Sequence, residues 1–166
     1  MSSSVPDGVA PFGSPPRDVI PSDAALDLVI GRSDSAVVSV SGFRCYPSGF
    51  EFTVSSWRRG QPEPPGFANV ALQYPDGATT STDEELARQF AGAALAARLR
   101  LSRLAASQGG EGATWKAEWR YWASPLPGPG QLVFTCSWSV CGIDDQVTRT
   151  PTQPLLEAVA RAEALW

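Results

Sequence analysis

The sequence predicts an all-β dominated domain: a two-sheet antiparallel β-sandwich of immunoglobulin-like architecture, with a short inserted helix and a C-terminal helix. Three observations carry this. Apolar residues recur with a period of two over roughly seven or eight short segments. Turn signals separate those segments about every eight to twelve residues. The 15 Gly and 15 Pro punctuate the chain too often for long helices.

Residues 1–23 carry Pro6, Pro11, Pro15, Pro16 and Pro21 among Ser and Gly. They read as a disordered arm, leaving 24–166 as a single domain. Leu26, Leu28 and Ile30 alternate with Asp27 and Val29, and Gly31 to Asp34 turns the chain. Over Ala36 to Tyr46 the apolar phase changes: Val38 and Val40 share one face, Phe43 and Cys45 the other. Gly42 stands at the change, where a bulge resets the alternation. After Pro47-Ser48-Gly49, Phe50, Phe52 and Val54 alternate with Glu51, Thr53 and Ser55, the pattern of a half-buried strand. Arg58 to Gly66 is a Pro-rich loop. Ala68, Val70, Leu72 and Tyr74 form the next apolar face. Pro75-Asp76-Gly77 is a turn, because Pro fixes its own φ and Gly admits a positive one. Ala78 to Ser81 continues as a paired strand.

Two patterns compete over residues 82–106. Thr82 can cap a helix, with Asp83, Glu84 and Glu85 in its first turn and Glu85 at the capping-box position. Leu86, Phe90, Ala93, Ala97, Leu101 and Leu104 then share a face, but Leu95 and Leu99 fall opposite. From Arg98 a period of two fits as well. The reading adopted is a helix over Asp83 to Ala94 and a strand over 97–105. Gly109 to Gly112 makes a hairpin tip. Beyond it Trp115, Ala117, Trp119 and Tyr121 face one way, and Lys116, Glu118, Arg120 and Trp122 the other. Pro125, Pro127 and Pro129 stiffen the connection to the cleanest strand. There Leu132, Phe134, Cys136, Trp138 and Val140 alternate with Val133, Thr135, Ser137 and Ser139. Gln146 to Thr150 is a last strand. Thr152 caps a helix over 152–166, with Pro154 in its first turn and Leu155, Val159, Ala162 and Trp166 on one face.

Composition excludes several function classes. The chain has no histidine, so a Ser-His-Asp triad, a Cys-His dyad or a His-based zinc site cannot be built. A net charge of -4 argues against nucleic acid or an anionic membrane as partner. No apolar run approaches the ~18 residues of a membrane span. The first residues lack a basic start and an apolar core, so no secretory signal is read, and a cytoplasmic location follows. Cys45, Cys136 and Cys141 are then expected to be reduced.

Few residues suggest chemistry. Cys136 and Cys141 fall on opposite faces of a regular strand, so no metal site is expected. Cys136 reads as a buried thiol; Cys141, near the strand end, could be exposed and reactive, but nothing in the sequence supplies it a base. Asp144 and Asp145 form a turn pair that more simply bonds backbone. Glu118, between Lys116 and Arg120, reads as an ion-pair partner rather than a catalytic carboxylate. Gly109 to Gly112 lacks the rest of a phosphate loop. No cofactor is implied. Trp57 and Trp122 lie out of phase with their own apolar faces, beside Arg59 and Arg120. Exposed Trp next to Arg suits a protein partner or a ring-bearing ligand.

The stretch Trp115 to Trp138, with the PDG turn at Pro75 to Gly77 and the terminal PLLEAVARAEALW from Pro154 to Trp166, resembles a pattern in small β-rich actinobacterial proteins. In these an aromatic strand leads through a PLPxPG connection to a second strand ending in Trp. The resemblance implies a strand before the Gly-rich tip. It implies no activity and carries over no site residue. Cys45, Trp57 and Cys136 are also spaced somewhat as in immunoglobulin domains, which supports the sandwich but neither membership nor a disulfide.

The functional expectation is a non-catalytic cytoplasmic binding or protein-interaction module, with Trp57, Trp122, Arg59 and Arg120 as contact candidates. A small carboxylate-dependent enzyme or ligand-processing protein is the alternative, and a structural or assembly component a further one. Self-association is left open.

Overall fold

A computed structural model describes residues 13–60, 66–84 and 99–166. Two antiparallel sheets face each other across one core. The larger is built from β2 (Ser22–Ala24), β4 (Ala36–Tyr46), β5 (Gly49–Arg59), β9 (Thr114–Ser124) and β8 (Arg100–Glu111), in that order. In it β3 (Leu28–Arg32) pairs with β4 beside β2. The smaller has the order β11 (Ile143–Pro151), β10 (Gln131–Trp138), β6 (Asn69–Gln73), β7 (Thr79–Ser81). A short pair joins the two ends of the described chain: β1 (Val19–Ile20) lies antiparallel to β12 (Glu163–Ala164).

The alternation read from the sequence places the core. Val38 and Val40, then Phe43 and Cys45, are all buried, and the β4–β5 register shifts between Ser41 and Arg44. Gly42 sits in that shift at φ 64°, so the bulge lets one strand keep both apolar phases inward. Phe43, Phe50, Phe52 and Tyr121 of the large sheet form one cluster of rings, and Phe43 and Phe52 meet Phe134 of the small one. Phe52 and Phe134 have their centroids 6.1 Å apart at 64°, an edge-to-face contact that bridges the two layers. Leu132, Phe134, Cys136 and Trp138 are buried as their phase requires. β3 closes against β10 through Gly31, where a Cβ would come within 2.8 Å of the Cys136 sulfur.

Several expectations are corrected. The arm does not extend to residue 23, because Val19–Ile20 and Ser22–Ala24 are strands; residues 1–12 lie outside the described residues. Val140 does not continue β10. Ser139–Cys141 forms a 3₁₀ turn closed by Gly142 at φ 79°, and Val140 is 66% exposed. The terminal helix is α1 (Gln153–Ala160), shorter than 152–166. Arg161 stops it: its side chain bonds the Glu157 carbonyl and, across the chain, Ser22 and the Asp23 carbonyl. The chain then turns into β12, and Trp166 is 98% exposed instead of packing on the helix face. Thr152 precedes the helix but does not cap it with its hydroxyl. That hydroxyl accepts from the Gly130 N–H at 3.1 Å and donates to the Gly128 carbonyl at 3.0 Å, fastening the Pro-rich connection to α1. Thr82 to Glu84 are helical, but most of the helix expected over Asp83 to Ala94 lies outside the described residues. The strand expected over 97–105 is found as Arg100–Glu111, with residues 97 and 98 outside the described residues; Gly109–Glu111, expected at the hairpin tip, belong to the strand.

All three cysteines are free and buried. Cys141 is only 8% exposed and its thiol is pushed up by burial, partly offset by Arg58, so it is not the reactive thiol that its position suggested. Burial also raises Cys45, helped by Asp23, and Cys136, each from 9.0 to about 11. Tyr74 is raised well above the phenol range, first by burial and then by Asp76. Each of these groups is neutral in the fold and ionises more readily once unfolded. The stabilisation from Cys45 and Cys136 is therefore complete below pH ~9 and falls as pH rises through ~9–11. Each of the two thiols raised to about 11 contributes on the order of 2–3 kcal/mol of that loss. Urea unfolding followed from pH 7 to 11 should show a steep drop in midpoint above pH 9. A flat profile would mean that the thiols are open to water.

Candidate functional site

The outer face of the large sheet, turned away from the core, carries the residues of interest in cross-strand rows. Register places Trp57, Lys116 and Gly109 in one row, and Ser55, Glu118 and Ser107 in the next. Thr53, Arg120 and Ala105 follow, then Glu51, Trp122 and Ser102. β4 extends the rows with Val37, Ser39, Ser41 and Arg44. Small and hydroxylated residues dominate, and they leave a low floor from which the larger side chains stand out.

At one end that floor deepens into an open groove of about 630 Å³. Trp57 and Thr114 line it with Lys116, Glu118 and the Ser107–Gly110 stretch of β8. Trp57 is half-buried. The Lys116 ammonium lies 5.2 Å from the centre of its ring, a cation–π distance, and bonds the Glu118 carboxylate at 2.6 Å. The groove thus offers an aromatic wall, a neutralised ion pair and several small polar groups. It suits a ligand with a ring or apolar arm and a few hydrogen-bonding groups.

At the other end, about 20 Å away by strand rise, the same face is closed. Trp122 was expected to be exposed but is 2% exposed. Its ring packs edge-on against Tyr46, with centroids 5.4 Å apart at 81°. Gly49 makes room for it: a Cβ there would stand 2.7 Å from two Trp122 ring carbons and would clash with the Ala123 carbonyl oxygen. Glu51, beside it in the row, is 6% exposed. The Tyr46 hydroxyl donates to its carboxylate. The other Glu51 oxygen, Oε2, is buried without a hydrogen-bond partner among the described residues. Tyr46 is raised above the usual phenol value first by burial and then by the Glu51 charge, with Arg44 and Arg120 opposing.

The four contact candidates therefore part company. Trp57 lines the groove. Arg120 is exposed in the middle of the face, and Arg59 is exposed at the end of β5 opposite Thr114. Trp122 belongs to the closed end and is removed from the contact set. Trp115 and Trp119, in phase with Ala117 and Tyr121, are half-buried; Trp119 packs against the core and on Phe67, with centroids 4.3 Å apart. The reading of Glu118 as an ion-pair partner agrees with the geometry. Asp145, at φ 41°, accepts a hydrogen bond from the Ser137 hydroxyl instead of serving a metal. Among the described residues no three His, Cys, Asp or Glu side chains cluster to hold a metal ion, and no helix is long and apolar enough to cross a membrane. Ser107, Gln108 and Glu51 were not picked out from the sequence, and Gly109 and Gly110 were read there only as a hairpin tip. Their roles depend on which strands stand beside β9, and one-dimensional periodicity does not record that.

No known protein family, curated protein or solved structure matches the chain.

Proposed function

We propose that the protein is a non-catalytic binding module of the cytoplasm whose contact surface is the outer face of the large sheet around Trp57. The observation that carries the reading is the groove itself. It holds a half-buried tryptophan beside a Lys116–Glu118 pair on an otherwise small-residue, polar face. Aromatic anchors flanked by polar groups are the usual energetic centre of a recognition surface. Arg120, exposed two rows away, lies within the same contact area. Three free, buried thiols fit a reducing compartment.

The carboxylates favour binding over catalysis. Glu118 is tied to Lys116, Asp145 accepts from Ser137, and Glu51 is sealed beneath Tyr46 and Trp122. None of the three stands free in the groove to exchange a proton with a bound molecule.

Selection of a phage-displayed library of random linear peptides on the native chain, and in parallel on Trp57→Ser, tests the reading. Enrichment is expected on the native chain and not on the variant. Equal enrichment on both would remove Trp57 from the contact surface and overturn the proposal.

A further inference from the structure

We infer that the Ala105–Gly110 stretch of β8 takes up an extended peptide as an additional strand, and that an aromatic side chain of that peptide crosses Gly109 to reach Trp57 and Lys116. This rests on the binding reading above and specifies its mode.

β8 ends the large sheet, and among the described residues it pairs with β9 alone. Every residue from Ala105 to Gly110 is exposed. Such an edge presents unpaired N–H and C=O groups that template another strand unless something protects them. Among the described residues, the other edges of the two large layers are short or protected. β2 and β7 are three residues each. β3 is covered at Arg32 by Gln146, whose amide accepts from the Arg32 N–H and donates to the Arg32 carbonyl, both at 2.8 Å. β11 carries Asp144, Asp145 and Arg149 and ends at Pro151. The stretch Ala105–Gly110 reads AASQGG, with neither charge nor proline.

The groove opens onto this edge. Gly109 stands in the row of Lys116 and Trp57. A Cβ there would meet nothing within 4 Å, and Gly109 is not among the glycines of positive φ. Neither packing nor backbone conformation requires glycine at this place. Its effect is a notch joining the groove to the edge. An added strand would lie about 4.8 Å beyond β8, with the side chain opposite Gly109 on the groove's face.

The occupant follows from size and charge. A second copy paired over Ala105–Gly110 would set only Ala, Ser or Gly against the notch. It would bury far less than the ~1,000 Å² of a stable interface. A foreign side chain long enough to reach Lys116 lies in the groove against Trp57. Lys116 and Glu118 already neutralise each other at 2.6 Å, so an incoming cation or carboxylate would have to break that pair. A neutral ring contacts Trp57 and the Lys116 ammonium with the pair intact.

The test uses the peptides enriched on the full chain. Expected are an aromatic residue in the enriched set and slowed amide exchange over Ala105–Gly110 on binding. Gly109→Val, which suits a strand but fills the notch, should weaken binding about tenfold or more. Ala105→Lys, at an exposed edge position, gives a second variant should Gly109→Val lower the melting temperature. Binding lost in Trp57→Ser but indifferent to both edge variants, with β8 exchange unchanged, overturns strand addition and leaves the groove reading standing. Binding retained in Trp57→Ser overturns both, as does a library that yields no enrichment. A dimer of the chain alone in sedimentation, abolished by Ala105→Lys, puts a second copy on the edge and overturns the inference.

Discussion

Phe52→Ala is expected to cost about 3–5 kcal/mol of folding stability. Phe52 is fully buried and touches four other rings: Phe43, Phe50, Tyr121 and Phe134. Three of these belong to its own sheet, and Phe134 belongs to the facing one. Truncation removes the ring around which both layers pack, and its rigid aromatic neighbours can collapse only partly into the void. Urea unfolding measures the effect as a lower midpoint with little change in slope. A cost below about 1 kcal/mol would mean that the two sheets do not close on this cluster.

Gly49→Ala, the smallest side-chain addition there is, should cost about 3 kcal/mol or more. At six of the described glycines, such as Gly77 and Gly128, an added methyl group meets nothing within 4 Å. At Gly49 it meets the Ala123 backbone oxygen and the Trp122 ring together. The oxygen belongs to a strand paired with β5, with Phe50 opposite Ala123, so it moves only if the ladder moves. Relief must come from displacing Trp122, which would uncover Glu51 beside it. Thermal unfolding and near-UV circular dichroism should change together in this variant. A wild-type melting curve would show that β5 and β9 are further apart at this end than the structure has them.

Much of the fold was legible because the signal was local. The phase reversal at Gly42 lies within one strand, and so does the alternation from Leu132 to Trp138; each dictated its own burial. The failures share a different cause. Trp122 is out of phase with its strand's core face, so alternation sends it outward, as it does. What covers it is Tyr46, brought over by the β4–β5 hairpin and seated beside Glu51. An outward ring is buried by a neighbour on its own face, and periodicity carries no information about that neighbour. The same holds at the chain's ends. Nothing local distinguishes Val19–Ile20 from the residues before them, and their strand exists because Glu163–Ala164 returns to pair with it. Val140 continued the alternation perfectly, yet the chain turned at Ser139, where the Ser33 and Ser35 hydroxyls both donate to the Cys141 carbonyl. At the groove, the Lys116–Glu118 pair and Trp57 were readable from spacing. The notch at Gly109 was not, because the β8–β9 register contains a shift between Arg103 and Ala105.

We propose for the outer face a recognition end at Trp57 and a structural end at Trp122. Thermal and urea unfolding of Trp57→Ser and Trp122→Ser, side by side, test it most directly. Trp122→Ser should lose about 3–5 kcal/mol, as a buried ring replaced by a small polar residue does. Trp57→Ser should lose no more than about 1 kcal/mol, the value of a partly exposed ring with one cation–π neighbour. A Trp57→Ser variant as unstable as Trp122→Ser would place both rings in the architecture of the sheet and contradict the assignment of the groove as a binding surface.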